Sequence, residues 1–321
     1  MLSGHIDTIL GFNMDYPPFE PFKKDGKLYG RGTVDMKGGI AAMLAAMIAV
    51  KRSNVVLSRG VMFAGVIDEE ERSKGTEHLI KKNVKAKMAI IGEATQLRVC
   101  TAHKGMEWME VTFKGRATHA STPHEGINAI YAATEFIKMV KDELQPKIES
   151  NKFELLGNGT INVGIIKGGD EPNIVCDHCC VKIDRRWLPN ETLESIHDEV
   201  KKVAQRAVDV VGGTFEVKSM KEYTASMSNS PHHIQHNHPL VKQAIKSVIE
   251  VTGKPQKPYA FPAWSDAALL SNFMGTECII LGPGSINQAH SNNEFCEVVQ
   301  IIQAAYIYMD IIDKLCITKK K

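Results

Sequence analysis

The sequence predicts an α/β protein: a mostly parallel sheet with helices on its faces, carrying an inserted split-βαβ domain of the ferredoxin-like kind. Three observations predict it. Short apolar runs at residues 60–67, 88–92 and 277–281 are bounded by polar residues, as strands buried on both faces are. Helical patterns alternate with these runs, the order of a layered α/β fold. From residue 105 to 223 the pattern changes to alternating strands and amphipathic helices, in the order strand-helix-strand-strand-helix-strand.

Residues 1–6 read as a strand that delivers His5, and a loop rich in proline and aromatics follows at 11–26. The stretch Leu28-Tyr29-Gly30-Arg31-Gly32-Thr33-Val34-Asp35-Met36-Lys37-Gly38-Gly39 then sets an acidic residue between glycines, directly before an apolar helix. Ile40, Met43, Leu44, Met47 and Ile48 mark one helical face. Alanines fill the other faces, so the helix is expected to be buried nearly all round. Asp35 at its head is a capping residue or a metal ligand, because a buried carboxylate is costly unless paired or metal-bound. The run 60–67 ends in Asp68-Glu69-Glu70-Glu71, a short helix fits 75–84, and the run 88–92 ends in Glu93.

The inserted domain takes residues 105–223, leaving 1–104 and 224–321 as the sheet domain. Its strands fall at 106–113, 160–166, 175–187 and 214–223, and its helices at 126–144 and 193–211. Cys176-Asp177-His178-Cys179 has the spacing of a zinc knuckle but lies on a strand, where positions i and i+3 face opposite sides. The His-rich stretch 232–238 precedes Pro239 and a helix, and reads as a solvated loop. Ser265-Asp266 opens a further helix as its cap. The run 277–281 leads into Gly282-Pro283-Gly284 and then His290, and a last helix fits 298–315. Gly282-Pro283-Gly284-Ser285 has no lysine to complete a phosphate loop, and reads as a place where backbone approaches a substrate.

Composition narrows the function. The chain has 321 residues, 43% of them hydrophobic, and a net charge of +2, so it builds a sizeable core and offers no basic field for nucleic acid. No apolar run reads as long enough to span a membrane, and no signal peptide is evident. Seven scattered cysteines, an odd number, point to reduced thiols and a cytoplasmic protein. Lys319-Lys320-Lys321 reads as a solvated end.

In an open parallel sheet, ligands gather beyond the carboxyl ends of the strands. Those ends carry His5 and Asp7, Glu69 and Glu70, and Glu93, with His290 a few residues past another. Two imidazoles among several carboxylates suit a divalent metal of the zinc, cobalt or manganese kind. A carboxylate shared between two ions would account for Asp35.

His5-Ile6-Asp7, Asp35-Met36-Lys37-Gly38-Gly39, Asp68-Glu69-Glu70 with Gly75, Gly92-Glu93 and Ala289-His290, in this order, resemble the zinc-dependent family of aminoacylases, acetylornithine deacetylases, succinyl-diaminopimelate desuccinylases and G-type carboxypeptidases. The resemblance implies a two-metal amide hydrolase in which Asp35 bridges the ions. His5 and Glu93 would complete one site, Glu70 and His290 the other, and Glu69 would be the general base. Asp7 would hold the second ring nitrogen of His5.

The inserted domain would be a lid that forms a homodimer. Gly115-Arg116-Ala117-Thr118-His119-Ala120 resembles the segment whose histidine steadies the oxyanion in the partner's site. Pro172-Asn173 resembles the asparagine that assists it. Asp184-Arg185-Arg186 resembles a motif whose arginine, here Arg186, grips a substrate carboxylate. Gly284 would stand beside the substrate. The substrate would be an N-acyl amino acid or a dipeptide. Family members carry a helix and strands ahead of the position of His5, so the chain is expected to lack N-terminal elements. An inactive metal-binding fragment is the alternative from another class.

Overall fold

The computed structural model describes residues 1–317; Lys319, Lys320 and Lys321 lie outside the described residues. The chain divides into two compact units, Met1–His103 with His232–Lys321, and Lys104–Pro231. The first unit opens with β1 (Leu2–His5), β2 (Phe22–Lys24), β3 (Lys27–Tyr29), α1 (Gly38–Arg52), β4 (Phe63–Val66), α2 (Lys74–Lys81), β5 (Met88–Ile91) and β6 (Cys100–His103). The second unit holds β7 (Gly105–Lys114), α3 (Ala129–Met139), α4 (Gln145–Ser150), β8 (Lys152–Phe153), β9 (Gly157–Asn158), β10 (Thr160–Gly168), β11 (His178–Trp187), α5 (Leu193–Val211) and β12 (Thr214–Ser219). The first unit resumes with β13 (His232–His233), α6 (Pro239–Thr252), β14 (Tyr259–Ala260), α7 (Ala267–Met274), β15 (Glu277–Ile280), β16 (Phe295–Glu297) and α8 (Val298–Cys316).

The main sheet of the first unit runs β13-β6-β15-β5-β1-β4, with β14 beside β6. Strands β4, β1, β5 and β15 are mutually parallel. Their carboxyl ends therefore open on one edge, and the loops that follow carry the residues of interest. A small antiparallel sheet, β16-β3-β2, joins early and late segments of the chain, pairing Phe295 with Tyr29.

Helix α1 departs from the expected burial. Its buried stripe is Ile40, Ala42, Met43 and Ala46, whereas Leu44 and Ile48 are 40% and 51% exposed. The small alanines let the backbone lie close to the sheet, which rotates the buried face away from the larger side chains. Thr33–Arg52 also proves long and apolar enough to cross a membrane by composition, contrary to the sequence reading. It packs as a core helix, with Met43 and Ala46 in one hydrophobic cluster with Leu2, Ile279 and Ile307. The His-rich stretch departs too. His232 is 1% exposed on β13, which pairs with β6, and its ring bridges Ser271 and the carbonyl of Cys278.

The second unit is a four-stranded antiparallel sheet, β10-β11-β7-β12. Strict alternation in β7 and β11 buries Met109, Val111, Phe113, Cys179, Val181 and Ile183 against α3 and α5. The long helix expected at 126–144 starts later and runs further: Asn128 caps α3, and a π turn at Val140–Leu144 carries it on into α4. Arg185 is fully buried, and Glu191 and Glu199 neutralise it.

Candidate metal centre

All the donors except Asp35 arrive on segments that follow the ends of parallel strands. His5 is the last residue of β1, Glu69 and Glu70 follow β4, Glu93 follows β5, and His290 follows β15. Asp35 comes from the kinked turn Thr33–Lys37 that leads into α1. Two glycines make this convergence possible. A Cβ on Gly39 would stand 2.2 Å from the Gly92 carbonyl, so only glycine lets α1 start against the end of β5. Gly284 has a positive φ of 79°, and a Cβ there would stand 2.3 Å from Val34 Cγ2. It is buried against the Asp35 turn, so both its backbone conformation and its packing call for glycine.

Asp35 lies between two imidazoles. His5 Nε2 is 2.9 Å from its Oδ1, and His290 Nε2 is 3.3 Å from its Oδ2. His290 Nε2 is also 3.0 Å from Glu70 Oε2, and His5 Nε2 is 3.7 Å from Glu93 Oε1. His5, Asp35 and Glu93 are buried, Glu69 and Glu70 half-buried, and His290 is exposed at the opening. Ligand atoms of His5, Glu69 and Glu93 lie within 4.8 Å of one another, as do those of His5, Asp35 and Glu70. Proximity alone lets either Glu69 or Glu70 face an ion; of the two, Glu70 is the one that meets His290.

Asp7 meets the second ring nitrogen of His5 and reaches a second segment as well. His5 Nδ1 meets the main-chain carbonyl of Asp7 at 3.1 Å, while the Asp7 carboxylate is 3.6 Å away. The other carboxylate oxygen, Oδ2, accepts the backbone N–H of Glu70 at 3.3 Å. One residue thus orients His5 through its main chain and the Glu69-Glu70 loop through its side chain. On the far side of that loop, Thr76 donates to the buried Asp266 at 2.6 Å, so Asp266 tethers α2 as well as standing at the head of α7.

The electrostatics call for cations. Burial pushes the Glu93 carboxyl up to about 8, reinforced by Asp35 and Glu70. Glu69 is pushed well above the carboxylate range by burial and by Glu93. Burial works against the charge on Asp35 too, but the bonds from His290 and His5 hold it below its usual range. His290 is raised to about 10 by Asp35 and Glu70. Burial disfavours the charge on His5, and Asp35 and Asp7 outweigh it, raising its affinity for a proton. Acidic groups this crowded cannot all ionise in a dry cleft unless positive charge joins them. Their donor types, two imidazole nitrogens and several carboxylate oxygens, fit divalent transition metals.

The lid residues of the sequence reading lie in the second unit. His119 and Asn173 are brought together there: His119 forms a bridge with Ile174, and Ala120 N–H donates to the Asn173 carbonyl. His119 Nδ1 accepts the Ser121 N–H at 3.1 Å. Its proton therefore belongs on Nε2, on an exposed ring. Arg186 is 36% exposed, and its Nε and Nη2 both donate to Asp184, at 2.8 and 2.9 Å. Asp184 also accepts from Trp108. A substrate carboxylate would have to take that fork over from Asp184. Among the described residues, no group of potential metal ligands forms around Cys176-Asp177-His178-Cys179.

The model of the peptidase family M20/M25/M40 matches residues 1–314. The chain belongs to this family. Its members are amide hydrolases. An acetylornithine deacetylase of Pasteurella multocida is 29% identical over 323 residues, which is 98% of this chain and 80% of the relative. Aminopeptidase PepT of Bacillus cereus has the same fold, with a TM-score of 0.79 at 23% identity, covering 98% of this chain and 79% of that one. The YXEP protein of Bacillus subtilis, described as a dinuclear metal-binding peptidase of the M20 family, aligns with a TM-score of 0.71 at 13% identity, covering 97% and 80%. At these identities the two structures attest the family's fold.

Sequence reasoning missed Glu294. It is fully buried and reaches Arg31 and the backbone of the Asp35 turn. Nothing in its local pattern marks it, since the partners lie more than 250 residues away. Arg31 between two glycines was the visible half of the arrangement.

Proposed function

We propose that the chain is a two-metal amide hydrolase that removes an acyl group from an N-acyl amino acid or a related amine. The observation that carries this reading is the division of Asp35, one oxygen to His5 and the other to His290. His5, Asp35 and Glu93 would hold one ion, and Asp35, Glu70 and His290 the other, with zinc the first candidate and cobalt or manganese next. Bound there, divalent ions lower the pKa of water and polarise a scissile carbonyl. Glu69 takes the proton of the attacking water and delivers it to the leaving amine; the crowding that raises its proton affinity suits it to that task. Asp7 fixes the ring of His5 and the loop that presents Glu69.

His119, with its proton on Nε2, steadies the oxyanion, and Asn173 assists it. Arg186 exchanges Asp184 for the substrate carboxylate. We read the lid unit as the dimer surface: β10 is an edge strand whose Ile165 and Ile166 are 43% and 48% exposed. The family likeness to a deacetylase favours acyl amino acids, and cleavage of dipeptides by the same chemistry is the second reading. Seven free cysteines suit a cytoplasmic setting.

Metal analysis after reloading with zinc or cobalt should approach two equivalents per chain, and a value near zero would refute the reading. A panel of N-acyl amino acids against dipeptides separates deacylase from peptidase.

A further inference from the structure

Asp35 is held by more than its own side-chain contacts. Its backbone N–H and that of Val34 both donate to Oε1 of Glu294, at 3.3 and 3.0 Å. The other oxygen, Oε2, accepts from Arg31 Nη1 at 2.7 Å, with both side chains almost wholly buried. The main-chain carbonyl of Glu294 receives the N–H of Gly30 and the hydroxyl of Tyr16. Pairing of β16 with β3 sets the two segments in register on the next residues. The carboxylate of Glu294 is thus spent on the turn that carries Asp35, and Glu294 itself lies four residues after His290.

The physical consequence follows from the shape of the centre. Asp35 must show one oxygen to each histidine, so a modest rotation of its backbone loses one of them. A carboxylate offers two oxygens, and here Arg31 takes one at 2.7 Å while the other is left to the two backbone N–H groups. We propose that Glu294, balanced by Arg31, is a positioning residue that sets the orientation of Asp35 and ties it to the segment bearing His290, so that one carboxylate fixes both sides of the centre. The proposal rests on the reading of that centre as a metal site.

The test compares two double variants, Arg31→Met/Glu294→Gln and Arg31→Met/Glu294→Leu. Each removes both buried charges, so neither leaves an unpaired ion. Glutamine keeps an oxygen for the N–H groups of Val34 and Asp35; leucine does not. Metal-free protein is titrated with cobalt and followed by visible absorption, and kcat and KM are measured on the loaded samples. The glutamine variant should bind two equivalents within about threefold of wild-type affinity. The leucine variant should bind at least about tenfold more weakly, the scale of an outer-shell partner, with kcat falling more than KM rises. Equal affinity in the two folded variants, high or low, overturns the proposal. If the leucine variant does not fold, Glu294→Asp replaces it: the shortened carboxylate should cost the same cobalt affinity, and wild-type affinity there overturns the proposal. Wild-type protein that takes up no cobalt sinks the metal reading itself, and the proposal with it.

Discussion

At the scale of single residues, the centre is built from two kinds of side chain. The donors stand at strand ends, where sequence pattern makes them visible: a polar His or Glu closing an apolar run is a local signal. The residues that orient them give no such signal. Glu294, Asp266 and the carbonyl of Asp7 act through contacts that exist only once distant segments meet. The assignment of the neighbouring acids is open to a direct measurement. Glu69→Gln should keep both metal equivalents and lose about 100- to 10,000-fold in kcat, as removal of a general base does. Glu70→Gln should lose metal, read by cobalt absorption. The reverse pattern would exchange their roles.

At the scale of elements, apolar runs located the strands of the parallel sheet well, because burial on both faces leaves no other pattern. Helix α1 was harder, since alanine tells period but not orientation, and its buried face turned out to be the small one. Close approach there should be testable: Gly39→Ala puts a methyl into the Gly92 carbonyl and should destabilise by about 1–3 kcal/mol in urea unfolding. The strand β13 carries a pH dependence. Burial, with His103 beside it, lowers His232 from 6.5 to about 3, so the folded protein resists a proton that the unfolded chain accepts. Stability from this group is complete above pH 6.5 and falls with acidity towards pH 3. By pH 5 the loss should be about 2 kcal/mol. His232→Gln removes the titration, so the difference in unfolding free energy between variant and wild type should change by that amount between pH 7 and pH 5. A constant difference would show that His232 is protonated in the fold.

At the scale of the whole molecule, the change of pattern at residue 105 was legible because a half-exposed sheet alternates and a parallel one does not. Assembly between copies was not legible, since an edge strand looks the same whether or not a partner covers it. If the lid of a second copy completes the site, two inactive variants should restore each other. His119→Ala mixed with Glu69→Gln, with subunit exchange confirmed by differently tagged chains, should recover about a quarter of wild-type activity, because half the dimers are mixed and each has one intact site. Activity that stays at the level of the separate variants would exclude that arrangement. The order in which the donors occur along the chain has a consequence for synthesis. His5, Asp35, Glu70 and Glu93 leave the ribosome early, and the residues of the second unit follow them. His290 and Glu294 come last. For most of translation the cluster lacks His290, while the residues of the second unit are made. The parallel sheet closes only when β15 slides in beside β5. On the metal reading, a nascent chain stalled before residue 290 lacks one imidazole of the centre and should retain no second tightly held ion.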